Sequence, residues 1–453
     1  MSEDTKMSKC YRVIFQTYNE ARPGVVIDEI PILESKITAP TNCLNFSMGI
    51  DQQLEVVKKV QDQVLNEKLK LISKKQDRQC HKDECLGKLI KGGMQKSPFN
   101  DVFTDHIVSM QRFRCNTCGV EEASTVKMLL GTIQSGELQK IQSQLGATHT
   151  YRESEELLSL FSGHVRPINN HDRIKNNSES IGSSLSKISE TEKEICLVEP
   201  AKELILNVDG GHIKTNDSSL RSMEAMTSVI YQPEAILSNN KGTRNYLSSK
   251  NCAASVQDDG QKQLIYSTIV AALKQGLSKE TNITALCDGA QNCWNIVEAL
   301  RPLCGSMLCI LDWFHIGMKM QNISLPEKLK NKFLRVKWHL WRGNVEHALT
   351  RLTELSLEAT TDKLTDKINK FRNYVLNNRD KIVNYRERKN NNLVFTSNLA
   401  ESTVESLINR RCKGQQHMRW SREGLDPLLQ IRAALHSKGE WESKWKTAVL
   451  NAI

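Results

Sequence analysis

Three short apolar runs in this sequence end in aspartate. Leu204-Ile205-Leu206-Asn207-Val208 leads into Asp209-Gly210-Gly211, Ile283-Thr284-Ala285-Leu286-Cys287 into Asp288-Gly289, and Met307-Leu308-Cys309-Ile310-Leu311 into Asp312. Runs of this length and composition read as buried strands. In an open α/β sheet, ligands bind at the carboxyl ends of the strands. Carboxylates gathered there repel one another unless a cation lies between them, and hard oxygen donors suit Mg²⁺ or Mn²⁺. Two such ions about 3.5–4 Å apart can activate a water and stabilise the leaving oxygen of a phosphodiester. The bland reading is that Asp-Gly after a strand is an ordinary turn. It suffices for one Asp-Gly, but two in one region favour the metal reading. Further along, Glu401 and Glu405 lie four residues apart and share a helix face. Arg410, Arg411, Lys413, Arg419 and Arg422 follow closely. Such a helix could deliver a metal ligand and DNA phosphate contacts together, or be a plain surface helix in which Glu balances Arg.

A second constellation is made of cysteines. Cys115-Asn116-Thr117-Cys118-Gly119 is a tight knuckle of the kind that wraps two thiolates round zinc. Cys80 and Cys85 precede it, with 29 residues between Cys85 and Cys115 and a strand-like stretch, Ile107 to Arg114, leading into the knuckle. The four cysteines imply a zinc-ribbon-like module with structural Zn²⁺. His81 competes as a ligand, and a ribbon that has lost its metal is the alternative. Beyond it, the segment Glu137–Leu145, broken at Gly146, and a second segment opened by a Thr150/Glu153 capping box read as a helix-turn-helix containing Leu157, Leu158 and Phe161.

Other patterns supply the elements that must hold these groups. Val57, Val60, Val64 and Leu65 place an amphipathic helix in the otherwise uninformative residues 1–75. Residues 166–200 are rich in Asn, Ser, Lys and Glu, with six serines between Ser178 and Ser189, which is a linker composition. After it, a strand at Met226–Tyr231, a helix carrying Ile265, Ile269, Leu273 and Leu277, and another carrying Trp294, Val297 and Leu300 alternate with the three acid-ending strands. That alternation predicts an α/β domain with parallel pairing at its centre. Residues 321–394 read as helical, with Trp338 and Trp341 as core candidates. The chain is 453 residues long, 39% apolar and 25% charged, with a formal charge of +10. Between Lys367 and Lys446 there are 17 Lys and Arg against 8 Asp and Glu, so the positive excess is concentrated there. A local basic field suits a polyanion; a solvated basic helical surface is the alternative. Mean hydropathy is -0.45, and no apolar run approaches the length of a membrane span. Met1-Ser2-Glu3-Asp4-Thr5-Lys6 offers no apolar leader, so the 13 cysteines are expected to be reduced thiols of a cytoplasmic chain.

Cys287-Asp288-Gly289-Ala290, then Leu311-Asp312-Trp313-Phe314-His315, then Ala400-Glu401-Ser402 with Arg411-Cys412-Lys413 and Met418-Arg419-Trp420-Ser421, occur in this order. Together with Val208-Asp209-Gly210-Gly211, this set resembles DDE transposases of the ISKra type, bacterial insertion-sequence enzymes related to the Mutator-like group. The resemblance covers roughly residues 80–440 and is strongest after Lys202. It implies an RNase H-like catalytic domain formed by residues 201–320 and 395–440, with a helical insertion at 321–394. The zinc-ribbon-like module (76–125) and the helix-turn-helix (126–165) would precede it as readers of the element's ends.

Carried over onto this sequence, the resemblance makes Asp209 the first acid, Asp288 the second and Glu401 the third, together holding Mg²⁺ or Mn²⁺. Asp312 and His315 match an Asp-x-x-His element and would support the metal shell or the DNA end, or simply form a hydrogen-bonded strand-to-helix junction. Trp313 would stack on a displaced base or fill the core. Ser397-Asn398-Leu399-Ala400 stands where the family often has Gly-Ser-Gly, so Glu405 stays in view beside Glu401. The implied protein is a nucleoid-associated bacterial transposase, dimeric or larger in its synaptic complex, that cuts 3′ ends of its element and joins them to target DNA. Its rivals are an RNase H-like nuclease without strand transfer and a DNA-binding repressor with a relic core.

Overall fold

The computed structural model describes residues 9–122, 124–191, 198–239, 245–413 and 418–453. The leader reading of Met1–Lys6 lies outside these residues, as does residues 192–197 of the expected linker. The chain divides into two compact units, residues 1–177 with Ile453, and residues 178–452. Among the described residues no helix is long and apolar enough to cross a membrane.

The first unit opens with an antiparallel hairpin of β1 (Cys10–Asn19) and β2 (Arg22–Lys36) that the sequence patterns did not announce. The amphipathic segment is α1 (Ile50–Lys75). Its Leu65 and Leu69 pack on Phe99, Val108 and Met110 of an antiparallel sheet, β3 (Leu89–Asn100), β4 (Asp105–Cys115) and β5 (Glu121–Glu122). Helices α2 (Val126–Leu130), α3 (Gly136–Thr148) and α4 (Tyr151–Ser159) follow. The capping box at Thr150 and Glu153 forms as its spacing predicts. Gly146, however, does not break α3; it is buried and the helix continues to Thr148. Phe161 lies beyond α4 and is exposed rather than packed.

The expected linker is in large part a helix, α5 (His171–Thr191). Ile174, Ser178, Ile181 and Leu185 recur at helical spacing and are all buried, so one face is committed to packing. The many serines misled because small hydroxyl side chains fit close contacts as well as they suit linkers. At Gly182 the approach is closest: a Cβ there would stand 2.1 Å from the Pro427 carbonyl oxygen. The boundary between the two units falls inside this helix.

The second unit is built on a five-stranded mixed sheet in the order β10-β7-β6-β11-β12. The strands are β6 (Glu203–Lys214), β7 (Ser222–Tyr231), β10 (Asn251–Ser255), β11 (Asn282–Cys287) and β12 (Ser306–Leu311), with a small hairpin of β8 (Ile236–Ser238) and β9 (Asn245–Leu247) between β7 and β10. β6, β7 and β10 form an antiparallel meander; β11 and β12 run parallel to β6. β10 is buried residue after residue, which requires cover on both faces. Helix α6 (Lys262–Lys274) supplies part of it, while α7 (Gln291–Leu300) packs on β6 and β11. The free edge of β10 is closed by α15 (Arg422–His436): Gln430 donates to the Ala254 carbonyl, Asp426 accepts from Val256 N–H, and Ser437, capping the helix, accepts from Cys252 N–H. Side chains thereby occupy the backbone groups that would otherwise template another strand.

From β12 the chain passes through α8 (Trp313–Gln321), α9 (Glu327–Trp341), α10 (Val345–Leu357), α11 (Asp362–Asn377) and α12 (Tyr385–Asn390), as the helical reading of this stretch requires. Trp341 packs with Trp313, Tyr385 and Phe395, so Trp313 belongs to an aromatic cluster. Trp338, expected in the core, is 48% exposed; the buried stripe of α9 is Leu329, Phe333, Val336 and Leu340, and Trp338, two residues from each of the last two, lies on the opposite face. The chain then forms α13 (Asn398–Val404), a π-helical turn (Glu405–Asn409), α14 (Arg410–Cys412), α15 and finally α16 (Glu440–Ala452).

In the first unit, His106 of β4 is buried between Asp62 of α1, at 2.7 Å, and Asp101, at 3.2 Å. Burial alone would depress its pKa, but the two carboxylates outweigh this and hold it above the usual imidazole value. Stability from such a group is fully present below its unfolded-state pKa and is lost as pH rises through the folded-state value. The melting temperature should therefore fall as pH rises above neutral. His106→Gln should flatten that dependence and cost about 1–3 kcal/mol at mildly acidic pH. Melting curves of both proteins over a pH series check this; an equal slope in the variant would remove the ion triad from the account.

Candidate metal centre at the strand ends

The register of the parallel strands brings the three aspartates level. Val208 pairs with Cys287, and Cys287 with Leu311, so Asp288 and Asp312 follow the ends of β11 and β12 level with Asp209. The expected end of the first strand at Asp209-Gly210 is corrected, because β6 runs on through it to Lys214 in register with β7. Their side chains nevertheless take different roles.

Asp312 is fully buried and caps α8. Its Oδ1 accepts from Phe314 N–H (3.2 Å) and Ser397 N–H (2.9 Å), and its Oδ2 accepts from the Ser397 hydroxyl (2.6 Å) and pairs with His315 Nδ1 (2.7 Å). A carboxylate has about four acceptor sites, so Asp312 is saturated. Burial pushes its pKa up, but the bonds from His315 and Ser397 prevail and hold it below the ordinary value. With Nδ1 committed to Asp312, His315 has Nε2 as its remaining ring nitrogen. Burial lowers the His315 pKa, and Asp312, Asp209 and Asp288 together more than reverse this.

Asp209, His315 and Glu401 converge: one donor atom from each lies within 4.8 Å of the others. This group could hold a metal ion. Burial, partly offset by the His315 ring, raises Asp209, and the charges of Asp288 and Asp312 add to the effect. Glu401 is likewise raised, by burial first and by Asp209 next. Two carboxylates that resist ionising beside one another are what a cation would relieve. Asp288 is not in the close trio. Its Oδ1 accepts from Ala290 N–H (2.8 Å), closing the Asp-Gly turn, and Tyr374 of α11 donates to its backbone carbonyl (2.8 Å). Gly289 adopts φ +96° in that turn, and a Cβ there would run into Leu311 and Tyr374.

Glu401 sits half-buried in the first turn of α13, whose N-cap is Ser397. Glu405, one turn on, is exposed and bonded to Asn409. Glu405 opens the π-helical turn that separates Glu401 from the basic residues, a form that is rare and mostly found as single-turn bulges. Arg432 of α15, only 4% exposed, clamps it: Nε donates to the Leu407 carbonyl (2.6 Å) and Nη2 to the Ser406 carbonyl. Nothing in the sequence marked Arg432, since its partners lie 25 residues away in the chain and depend on the π turn.

The basic residues named as DNA contacts separate into two sets. Arg410 and Arg419 are exposed and Lys413 half-buried; the Lys413 ammonium lies 2.5 Å from where a Cβ on Gly211 would be, two residues on from Asp209 along β6. Arg411 does not face solvent. It is 3% exposed, with its guanidinium 5.0 Å from the Trp420 ring, so it packs the core and its reading as a DNA contact is corrected. Arg422 is half-buried, donating to the Val256 carbonyl and lying 3.7 Å from Asp258, which ties it to the loop after β10.

The cysteine cluster forms within the first unit. The four sulfurs of Cys80, Cys85, Cys115 and Cys118 lie within 4.8 Å of one another, with Cys80 to Cys118 at 3.6 Å and Cys85 to Cys115 at 3.7 Å. Tetrahedral ligation at about 2.3 Å per sulfur puts sulfurs about 3.8 Å apart, so this group also could hold a metal. The N–H groups of Cys118 and Thr117 bring the Cys115 thiol down to about 6. His81 is not a member; its Nδ1 pairs with Glu122 at 2.8 Å.

Residues 140–447 match the uncharacterised protein family UPF0236. The chain belongs to that family. The match takes in the acid trio, Asp288, Asp312 and Arg432, and leaves out the cysteine cluster. No curated protein matches the sequence.

Arg432→Met would strip two buried carbonyls of their donors and should destabilise the second unit by about 1–3 kcal/mol. Arg432→Lys, which keeps one donor, should lose less. Denaturant unfolding of the three proteins checks the order; equal stabilities would mean that the π turn does not depend on the clamp.

Proposed function

We propose that this protein is the DDE transposase of a bacterial insertion sequence, an enzyme that cuts the 3′ ends of its element and joins them to target DNA. The observation that carries the reading is the meeting of Asp209 and Glu401, from distant parts of the chain, with His315, at the level where β11 and β12 end beside β6. The chain order of that sheet, third-second-first-fourth-fifth strand with the last two parallel to the first, fits an RNase H-like core. The association of the family with transposase-like insertion-sequence proteins agrees with it.

Asp209, Glu401 and His315 would hold a divalent cation, Mg²⁺ or Mn²⁺, with Asp288 at the adjoining strand end serving a second. When bound, such ions supply charge neutralisation and a more acidic water. Asp312 fixes the ring of His315 and the start of α13, so imidazole and Glu401 carboxylate are oriented together. Lys413, beside Gly211, is placed to meet a phosphate oxygen near Asp209. Water attacks the phosphodiester at the element's end, forming one P–O bond as the bond to the 3′ oxygen breaks. The freed 3′ hydroxyl then attacks a target phosphate in the same site, forming a new P–O bond as the target's own bond to its 3′ oxygen breaks and that oxygen leaves as a hydroxyl. In the first unit, the four cysteines would hold structural Zn²⁺ in a zinc-ribbon-like module, with α3 and α4 as a helix-turn-helix reading the element's ends.

Asp209→Asn, Asp288→Asn and Glu401→Gln should each abolish Mn²⁺-dependent cleavage and joining of DNA carrying the sequences that flank the gene, while Glu405→Gln lowers activity modestly. Gel analysis checks this. Cleavage without joined product would mark a nuclease, and no cleavage with intact binding a repressor. For the cysteines, elemental analysis should find close to one zinc per chain, lost in Cys115→Ser; a folded preparation without zinc would sink that assignment.

A further inference from the structure

The far end of β6 is held by a piece of chain remote in sequence. Trp420 N–H donates to the Lys214 carbonyl (3.0 Å), Asn216 N–H donates to the Trp420 carbonyl (3.1 Å), and the Thr215 hydroxyl donates to that same oxygen (3.0 Å). Trp420 itself is buried, with the Arg411 guanidinium over its ring. The residue before it, Arg419, is thereby fixed beside the turn joining β6 to β7. Between them opens a cleft of about 470 Å³ lined by His212, Lys214, Arg221 and Arg419, with the hydroxyls of Ser218 and Ser222.

The charge in this cleft is not balanced from within. Among the described residues none of Lys214, Arg221 and Arg419 forms an ion pair. The one carboxylate on the wall, Asp217, is used in the turn, where its Oδ1 accepts from both the N–H and the hydroxyl of Ser219. Three permanent cations gathered on one concavity repel one another, and hydroxyls beside them add neutral donors. An anion with several oxygens relieves the first and uses the second.

We propose that this cleft is a binding site for backbone phosphates of a DNA strand, separate from the phosphate that reacts. The inference rests on the transposase reading and adds a subsite to it. Lys214 lies five residues beyond Asp209 on β6, about 17 Å along an extended strand, which spans about five stacked nucleotides at 3.4 Å each. His212 and Lys214 also alternate to the opposite face of the strand from Asp209. The cleft therefore holds flanking DNA and contributes to affinity, not to the chemical step.

The test uses the full chain with Lys214→Ala, Arg221→Ala and Arg419→Ala combined, and a fluorescein-labelled DNA duplex of mixed sequence followed by anisotropy over a salt series. Each phosphate contact contributes about 0.9 to the slope of log affinity against log salt, so the slope should fall by about 2–3. The exchange Lys214→Arg, Arg221→Lys and Arg419→Lys should restore it. Lys214 and Arg221 and Arg419 are all exposed, and a melting curve confirms that the variant is folded. If wild type and triple-alanine variant bind with the same affinity and slope, the cleft is not a phosphate site, while the transposase reading stands. If the wild type binds no DNA, that reading falls and the cleft proposal falls with it.

Discussion

The carboxylate of Asp312 is buried completely, and its four hydrogen bonds come from three places in the chain: the first turn of α8, His315 within that helix, and Ser397 ahead of α13. An ionised group without water is tolerable only when its acceptor sites are filled. That requirement binds the end of β12, the ring of His315 and the start of the Glu401 helix into one unit. Shift any of the three and a buried charge loses a donor. The trio around Asp209 depends on this constraint, although Asp312 takes no part in it.

Around that anchor the centre is assembled with like charges close together. Asp209 and Glu401 are both pushed toward the protonated form, and His315 is the member of the close trio that opposes this. Such an arrangement is unfavourable in isolation and becomes favourable with a cation. The π turn and its Arg432 clamp belong to the same economy of geometry. A π turn inserts an extra residue into a helix, so the chain after Glu405 is rotated relative to an uninterrupted α-helix. Arg411 then turns inward onto Trp420, and Lys413 comes to lie over Gly211.

Much of the second unit was legible from pattern alone. Two of the apolar runs are β11 and β12 and the third opens β6, the Met226–Tyr231 run lies within β7, and α6 and α7 occur where the helical spacing of their apolar residues placed them, with Leu277 beyond the end of α6. β10 went unread because a five-residue Asn-Cys-Ala-Ala-Ser segment carries little strand character; its place is secured by α15 along its edge. The same weakness explains α5, where Ser and Asn composition outweighed the spacing of Ile174, Ile181 and Leu185. The cysteine quartet was legible because its ligands come as two short knuckles.

By itself the sequence determined that Asp288 and Asp312 would stand at the ends of β11 and β12, but not the fate of Asp209-Gly210-Gly211, which carries β6 onward in register with β7 instead of turning. It also determined the sulfur cluster and the basic excess near Glu401. Tertiary structure decided which groups meet. Asp209, Asp288 and Asp312 are equivalent in local pattern, yet Asp312 is consumed by Ser397, 85 residues away, Asp288 closes its own turn, and His315 joins Asp209 and Glu401. Likewise, five basic residues that look alike in the sequence become a buried stack (Arg411), a loop tie (Arg422), a half-buried ammonium (Lys413) and two exposed cations (Arg410 and Arg419). Hydrogen-bond saturation and burial are properties of the packed neighbourhood, and no window of adjacent residues contains that neighbourhood.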